Sequence, residues 1–473
     1  MKKTFIILTT IAASGFGYFS SPAQAASETP RPNILILLSD DQGYADLGIQ
    51  GSKDIPTPHI DSLAHNGVRC TAGYVSSAMC SPSRAGLITG RSQSRFGHEV
   101  NWEPDWPADP NDPRGLPLTE KTLADHLKAA GYHTGVIGKW HLGEAPPYHP
   151  NRRGFDEFFG FIGGGHNYFC GAYRDTPPQN YYNSPLERNG VPQPITPGYL
   201  TTVLGDEAAS FIHRNKEKPW VLYTAFNAPH TPNQATPELL DRVKHIADES
   251  RRTYAAMIVG MDDAVGTILK QLREDGLEER TLIFFLSDNG GTTEDNTSSN
   301  DPLRGRKGQM WEGGIRVPFL AQWKGVLPAG KTYDRPVSSL DILPTALAAA
   351  GTPGLGGQAL DGVDLVPFLS GKKSGDPHEM LFWRMTERDI HAVRDGRHKL
   401  VKQGEKPNLF NLVTDIREAK DLDGKHPEVR DRLQKAYDEW AATLPKALWT
   451  IYKNPEAEAE EARKRADRKK GKN

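Results

Sequence analysis

Two apolar runs far apart in the chain end in nearly the same way, and this similarity restricts the folds open to the chain. Ile34–Leu38 is followed by Ser39-Asp40-Asp41. Leu282–Leu286 is followed by Ser287-Asp288-Asn289. Short apolar runs bounded by turn residues are typical of buried strands. Since helix-like stretches alternate with such runs from Asn33 to about Phe368, the sequence predicts an α/β fold, with a mostly parallel sheet covered by helices on both faces.

Two further strand candidates end in basic residues. Thr134–Ile137 leads into Gly138-Lys139-Trp140-His141, and Trp220–Phe226 leads into Asn227-Ala228-Pro229-His230. In open α/β sheets, ligands bind beyond the carboxyl ends of the strands. We therefore expect acidic and basic side chains to meet at one edge of the sheet.

The acidic strand ends predict a cation site. If Asp40, Asp41 and Asp288 converge, their carboxylates repel one another, so that either their pKa values rise or a cation lies between them. Ligands that are all oxygen favour Ca²⁺, with Mg²⁺ second. The alternative for Asp40 and Asp41 alone is an acidic turn that caps the following segment.

The composition changes after about Gly371. A hairpin is predicted from Ile390 to Lys402, and an amphipathic helix from Pro427 to Leu444. These elements favour a small α+β subdomain over more parallel sheet. We predict a catalytic domain at residues 26–370, this subdomain at residues 371–450, and a charged tail without assigned function at residues 451–473.

The first 25 residues have the three parts of a secretory signal. Lys2 and Lys3 precede an apolar run from Phe5 to about Phe19, and small residues lead to a predicted cut after Ala25. No later apolar run has the length of a membrane span. The mature protein is expected to be periplasmic or secreted, with no membrane insertion. With 57 basic and 59 acidic residues, its net charge of −2 offers no bulk attraction to nucleic acid.

An exported chain with 3 cysteines leaves at least one without an internal partner. Cys70 and Cys170 either form a disulfide or remain buried thiols. Cys80 opens a probable helix, for which Ser81 is the predicted N-cap and Pro82 the predicted first helical residue. The free N–H groups at such a helix start favour a tetrahedral oxyanion beside Cys80.

These motifs resemble those of type I sulfatases of the alkaline phosphatase superfamily, from Pro32 to about Leu444. The matching segments are Pro32–Gly48, Cys80–Arg91, Gly138–Gly143, Gly154–Asp156, Pro229–Pro232, Ser287–Gly290 and Lys307–Pro318. The departures lie in the small domain, where Leu409–Leu412 reads Leu-Phe-Asn-Leu instead of the family's Leu-Tyr-Asp-Leu. They touch no proposed catalytic group.

The resemblance implies an alkaline phosphatase-like fold and a sulfuric ester hydrolase. It also implies that a maturase oxidises Cys80 to formylglycine, whose hydrated aldehyde is the nucleophile. A hydrated aldehyde keeps a second hydroxyl that can later collapse and expel sulfate, which serine and cysteine lack. One Ca²⁺ per chain is implied, with the ligands Asp40, Asp41, Asp288, Asn289 and the modified Cys80.

The remaining roles implied by the resemblance fall on five basic residues. Arg84 and Lys139 orient the nucleophile, and His141 is the base for the elimination step. Lys139, His230 and Lys307 hold the sulfate. His230 is the first choice as the acid that protonates the leaving alcohol, and Lys307 is the rival.

The expected substrate is a sulfated polysaccharide or its oligosaccharides. Candidate substrate-binding residues are His98, Trp102, His166 and Arg304, because aromatic faces stack on sugars and basic groups bind neighbouring anions. Packing of Trp102 within a proline-rich loop is an equal alternative. Competing functions are a phosphatase or phosphonate hydrolase of the same superfamily, an inactive calcium-stabilised glycan-binding protein, and a thiol enzyme that uses unmodified Cys80.

Overall fold

A ten-stranded mixed sheet lies at the centre of the protein. The structure is a computed structural model, and it describes residues 1, 31–102, 109–169, 182, 184–194 and 198–450. The predicted signal segment, Cys170 and the predicted charged tail lie outside these residues, apart from Met1. In the described part of the chain, no helix combines the length and apolar character that a membrane crossing requires.

The strands of the described residues are, in chain order, β1 (Asn33–Ser39), β2 (Val68–Cys70), β3 (Gly73–Tyr74), β4 (His133–Lys139), β5 (Glu157–Phe161), β6 (Glu187–Arg188), β7 (Val191–Pro192), β8 (Trp220–Ala225), β9 (Thr281–Ser287), β10 (Phe319–Gln322), β11 (Lys331–Tyr333), β12 (Val337–Ser338), β13 (Met380–Met385), β14 (Ile390–Asp395), β15 (His398–Lys402) and β16 (Pro407–Asn411). The central sheet has the order β11-β2-β10-β9-β1-β8-β4-β5-β6-β7, and β12 pairs with β3 apart from it.

The middle of the central sheet is parallel, as predicted. β1 lies between β9 and β8 and is parallel to both, and β4 is parallel to β8. Ser39 is the register partner of Ser287, so β1 and β9 end at the same level. All four strands that carry the polar ends noted in the sequence are therefore neighbours, and their carboxyl ends share one edge.

Both faces of the sheet are buried. Along β1, Leu35 and Leu37 belong to one apolar core, while Ile34, Ile36 and Leu38 belong to another. This alternation follows from the two-residue period of a strand. The α-helices of the described residues are α1 (Pro58–His65), α2 (Cys80–Thr89), α3 (Leu123–Ala129), α4 (Leu200–Arg214), α5 (Pro237–Arg242), α6 (Glu249–Glu274), α7 (Glu312–Ile315), α8 (Ile342–Ala349), α9 (Val366–Leu369) and α10 (Pro427–Ala442).

A separate antiparallel sheet has the order β13-β14-β15-β16, and α10 packs on it through Leu433 and Tyr437. The hairpin predicted from Ile390 to Lys402 is confirmed as β14 and β15. The described residues from Arg31 onward belong to one compact unit. The boundary at residue 370 stays a prediction, and it lies between the end of α9 at Leu369 and the start of β13 at Met380.

A buried charged cluster connects the small sheet to the chain segment around α7. The Lys399 ammonium on β15 lies 2.9 Å from Glu312 Oε1 and 2.9 Å from Glu418 Oε1. Burial works against ionisation of Glu312, but Lys399 and then Arg316 bring its pKa down to about 2. Burial raises the pKa of Glu418 to about 7 although Lys399 opposes the rise. Lys399 is thus the cation that two buried carboxyl groups share.

Replacing Lys399 by methionine is expected to lower the free energy of unfolding by about 3 kcal/mol, because two buried carboxyl groups lose their shared cation. Thermal or urea unfolding measures the loss. The matched control is Lys402→Met, since Lys402 lies on the same strand but pairs with the exposed Asp389; a change below about 0.5 kcal/mol is expected there. Equal losses in the two variants would contradict the assigned role of Lys399.

Two details of the sequence predictions change. α2 begins at Cys80 with Met79 as its N-cap, so Ser81 is a helical residue and Pro82 is not the first one. Met79 has the extended backbone of an N-cap, whereas Ser81 already lies in the first turn, where its hydroxyl is 2.7 Å from His98 Nε2. Cys70 is a free buried thiol among the described residues. Its predicted alternative partner, Cys170, lies outside these residues, so the pairing of the two stays a prediction.

Candidate active site

The acidic side chains converge because the chain makes one more backbone hydrogen bond after the end of β1 and of β9 and then turns. The Asp40 amide donates to the carbonyl of Ala228, and the Asp288 amide donates to the carbonyl of Ser39, both at 3.0 Å. Asp41 has a φ of 62°, in the left-handed region. This turn brings Asp41 to the same side as Asp40, although adjacent residues of a regular strand face opposite ways.

The cluster contains side-chain oxygen atoms, the ligands that a hard cation prefers. Asp40, Asp41, Cys80 and His230 each offer an atom within 4.8 Å of those of the others. Asn289 Nδ2 donates to Asp41 Oδ1 at 2.7 Å. Asn289 Oδ1 is buried and has no hydrogen-bond partner among the described residues. An unpaired amide oxygen beside carboxylates is an arrangement that fits Ca²⁺.

The ionisation of the three aspartates differs. Burial, followed by the neighbouring charge of Asp40, raises the pKa of Asp288 to about 6. Burial also opposes ionisation of Asp40 and Asp41, but nearby cations outweigh it. Lys139 and then His230 hold the pKa of Asp40 well below its usual value, and Lys307 and then His230 lower the pKa of Asp41. The buried carboxylates of Asp40 and Asp41 therefore stay charged beside the carboxyl group of Asp288.

Each aspartate has a cationic partner of its own. The Arg84 guanidinium binds Asp288 Oδ2 through Nε at 2.9 Å and Nη2 at 2.8 Å. Lys139 Nζ donates to Asp40 Oδ2 at 2.6 Å. Lys307 Nζ lies 2.7 Å and 2.8 Å from the two oxygens of Asp41. The cations come from α2, the end of β4 and the segment before α7, so residues distant in sequence complete the site.

Cys80 lies at the centre of these groups, at the first residue of α2. Its Sγ is 3.7 Å from both Asp40 Oδ1 and Asp41 Oδ1. Burial raises the pKa of the Cys80 thiol although Lys139 and Lys307 lower it. The unmodified thiol is consequently protonated at neutral pH and is a poor nucleophile.

His141 follows β4 with a φ of 57°, again in the left-handed region. Burial, then Lys139 and Arg84, hold the pKa of His141 well below its usual value, so the ring is neutral. Its Nδ1 has no hydrogen-bond partner within the described part of the chain. A Cβ at Gly164 would lie 2.6 Å from His141 Nε2, so a larger residue there would displace the His141 ring. The result is a neutral imidazole able to accept a proton.

His230 reaches the cluster from the loop after β8. Its Nδ1 is 2.6 Å from the carbonyl of Thr231, and its Nε2 is 3.6 Å from Asp41 Oδ2. Burial lowers the pKa of His230, while Asp40 and Asp41 oppose this shift. Since Nδ1 donates to a carbonyl, Nε2 is the nitrogen that faces the cluster.

The structure changes the choice of substrate-binding residues. His98 is buried and bonded to Ser81, and burial lowers its pKa to about 3. Both nitrogens of the buried His166 face carbonyls, those of Asn167 and Ser184. Neither histidine is kept as a substrate ligand, because both rings are buried inside the protein. His98 Nδ1 has no hydrogen-bond partner among the described residues, but it is buried as well.

Trp102 is also buried, and it packs against His141, with 5.7 Å between the two ring centroids. Arg304 is exposed, with its guanidinium 3.8 Å above the Trp311 ring. The sequence reasoning missed Asn101, whose Oδ1 accepts from the Ser81 amide, and Trp449, which packs on Trp102. Neither is part of a motif, so no local signal identifies them.

The fold and the site together define a hydrolase of the alkaline phosphatase-like class, and the comparisons name its family. Residues 32–352 match the family model described as Sulfatase, and the chain belongs to this family, whose members hydrolyse sulfate esters. It is 34% identical to the uncharacterized sulfatase YdeN of Escherichia coli (strain K12), over 79% of this chain and 71% of the relative. It is 35% identical to arylsulfatase A of Homo sapiens, over 78% of this chain and 74% of the relative.

A solved structure is similar over most of its length. The crystal structure of Ps i-CgsB in complex with k-i-k-neocarrahexaose superposes with a TM-score of 0.84 at 36% identity. The match covers 89% of this chain and 95% of that protein. The crystal structure of PsFucS1 sulfatase from Pseudoalteromonas sp. superposes with a TM-score of 0.76 at 28% identity, over 87% of this chain and 90% of that protein. The fold is thus that of a sulfatase.

Proposed function

We propose that this protein hydrolyses sulfate esters of a sulfated polysaccharide or its oligosaccharides, with Cys80 converted to formylglycine. The observation that carries the proposal is the position of Cys80 at the start of α2, 3.7 Å from two carboxylates and among three cations. Ordinary thiol chemistry is disfavoured there because burial keeps the thiol protonated.

Formylglycine would supply an oxygen nucleophile whose second hydroxyl allows the sulfate to be expelled. The surrounding residues suit that group better than they suit a thiol. Arg84 holds Asp288, and Lys139 holds Asp40, so both cations are oriented beside position 80 by buried ion pairs. They would stabilise negative charge on an oxygen at that position.

A Ca²⁺ ion would supply a positive charge that helps to ionise the nucleophile and to bind a sulfate oxygen. The residues that would hold it are Asp40, Asp41, Asp288, Asn289 and the modified residue 80. The unpaired Asn289 Oδ1 and the raised pKa of Asp288 support this assignment, since a bound cation relieves both.

His141 and His230 would divide the proton transfers. His141 is neutral and buried, so it suits the role of base that removes a proton from the nucleophile's second hydroxyl. His230 donates through Nδ1 to the Thr231 carbonyl, so its Nε2 carries a proton only in the charged form. An anionic sulfate ester beside this ring favours that form, and His230 remains the first choice as the acid, with Lys307 as the rival. Lys139, His230 and Lys307 would also hold the sulfate.

The carbohydrate substrate is supported by the similarity to Ps i-CgsB, whose crystal structure holds an oligosaccharide, k-i-k-neocarrahexaose. Of the candidate substrate-binding residues, Arg304 is exposed, and it would bind an anionic group of the substrate. A maturase that oxidises Cys80 is the second partner proposed, and the periplasm or the cell exterior is the proposed location.

The main test is sulfate release from a panel of defined sulfated oligosaccharides, with mass spectrometry of the peptide that contains Cys80. Sulfate release together with an aldehyde at position 80 is the expected result. Turnover of phosphate or phosphonate esters far above that of sulfate esters would favour the phosphohydrolase alternative. Active enzyme in which residue 80 carries only an unmodified thiol would contradict the proposed nucleophile.

Leaving-group dependence distinguishes His230 from Lys307. The variant that lacks the acid is expected to lose at least about 100-fold more activity on a sugar sulfate than on an activated aryl sulfate, because an activated leaving group needs no proton. The comparison uses His230→Gln and Lys307→Met, with kcat measured on both substrates. A similar loss on the two substrates in both variants would contradict a general acid at either position.

A further inference from the structure

The chain returns to the site after α10 through the segment 445–449, which we call the C-terminal strap. Arg384 Nη2 donates to the carbonyl of Pro445 at 2.7 Å. The Leu448 amide donates to the carbonyl of Gly97 at 2.9 Å, and Trp449 Nε1 donates to the carbonyl of Val100 at 3.1 Å. The first bond connects the strap to β13, and the other two hold it against the segment 97–102, which follows α2 in the chain.

The Trp449 ring contacts two aromatic side chains of that segment. Its centroid is 4.7 Å from that of His98, with an angle of 69° between the rings. It is 5.5 Å from that of Trp102, with an angle of 84°. Both are edge-to-face contacts, a favourable geometry for aromatic pairs.

One of these two rings bonds to the residue that follows Cys80, and the other packs beside His141. His98 Nε2 is 2.7 Å from the hydroxyl of Ser81, which follows Cys80 in α2. Trp102 lies 5.7 Å from the ring of His141. Trp449 therefore contacts both His98, which bonds to the residue after Cys80, and Trp102, which packs beside His141.

We propose that Trp449 is a positioning residue, which fixes position 80 through His98 and Ser81 and fixes the His141 ring through Trp102. The inference rests on the roles proposed above for Cys80 and His141. Without the indole, the buried pair His98 and Trp102 has space to move, and the two reacting side chains lose their relative placement. Small displacements of reacting groups cost much of the rate.

The test uses the full chain with Trp449→Ala, Trp449→Phe and the control Trp440→Ala. Trp440 is a tryptophan of α10 that stacks on Phe382 at 5.0 Å and contacts neither His98 nor Trp102 in the described structure. With an aryl sulfate, Trp449→Ala is expected to lower kcat by about tenfold and to change KM less than twofold. Trp449→Phe restores most of kcat, and Trp440→Ala retains it. Rates are divided by the fraction of chain modified at position 80, measured by mass spectrometry.

A second readout needs no activity. In protein made without a maturase, the rate of iodoacetamide alkylation at Cys80 is followed by mass spectrometry, with Cys70 in the same digest as the internal reference. Trp449→Ala is expected to raise the Cys80 rate at least about tenfold relative to Cys70, because the start of α2 opens more often.

Three results would overturn the positioning role: unchanged kcat and alkylation in Trp449→Ala, a loss confined to KM, or the same losses in Trp440→Ala. If the unmutated chain releases no sulfate, the proposed function fails. The alkylation rates then still decide whether Trp449 fixes position 80.

Discussion

Cys80→Ala is expected to reduce sulfate ester hydrolysis by a factor of at least about 10⁴, since removal of a nucleophile has effects of this size in other hydrolases. The site around it is built from ion pairs that do not include the sulfur, namely Arg84 with Asp288 and Lys139 with Asp40. The variant should therefore fold and still bind the substrate. Steady-state sulfate release and thermal unfolding are the measurements.

Cys70→Ala is the matched control, because Cys70 is the other free buried thiol among the described residues. It is the last residue of β2, which β10 separates from β9, and it belongs to none of the ion pairs of the site. Its loss is expected to cost stability, by roughly 1 kcal/mol for a small core cavity, with kcat unchanged. A Cys80→Ala variant that keeps a tenth of the activity would show that position 80 is not the nucleophile.

Removal of divalent cations is expected to lower kcat by at least about 100-fold, as several kcal/mol of charge stabilisation are lost. The same treatment should lower the melting temperature, because Asp40, Asp41 and Asp288 then share a buried site without a cation. Added Ca²⁺ at 100 times its dissociation constant restores about 2.7 kcal/mol. Activity and thermal unfolding are measured after chelation and again after Ca²⁺ is returned.

Two variants localise this effect. In Asp41→Asn the stabilisation by Ca²⁺ should largely disappear, because a charged ligand is lost. Asp262→Asn is the control, since Asp262 belongs to a second acidic group and its carboxylate accepts from the Ile60 amide at 2.7 Å. The Ca²⁺-dependent shift in melting temperature should persist there. A shift abolished by Asp262→Asn and kept by Asp41→Asn would place the ion elsewhere.

The sheet and the acidic edge could be predicted because their signals are local. An apolar run of strand length followed by Ser-Asp defines both a buried strand and its polar end, and it occurs at β1 and at β9. The register of Ser39 with Ser287 then brings the two ends together. Helix boundaries were less predictable. Residue type favours Ser81 as the cap of α2, but the helix begins at Cys80 with Met79 as its cap.

The substrate-binding candidates show the limit of reasoning from residue type. The sequence does not show whether a histidine ring faces a bound sugar or the protein interior. His98 and His166 turn out to be buried; His98 is bonded through Nε2 and His166 through both ring nitrogens to groups of the protein. Burial depends on what packs over a side chain, and the covering residues come from other parts of the chain.

By itself, the sequence determined the α/β class, the two acidic strand ends, the unusual Cys80 and the family. These depend on periodicity and on residue order within short segments. Only the tertiary structure decided which cation pairs with which aspartate, and that Trp449 packs against His98 and Trp102. Trp449 and its hydrogen-bond partner Val100 are 349 residues apart in the chain. Such contacts are set by how whole elements pack, and no local pattern of residues encodes them.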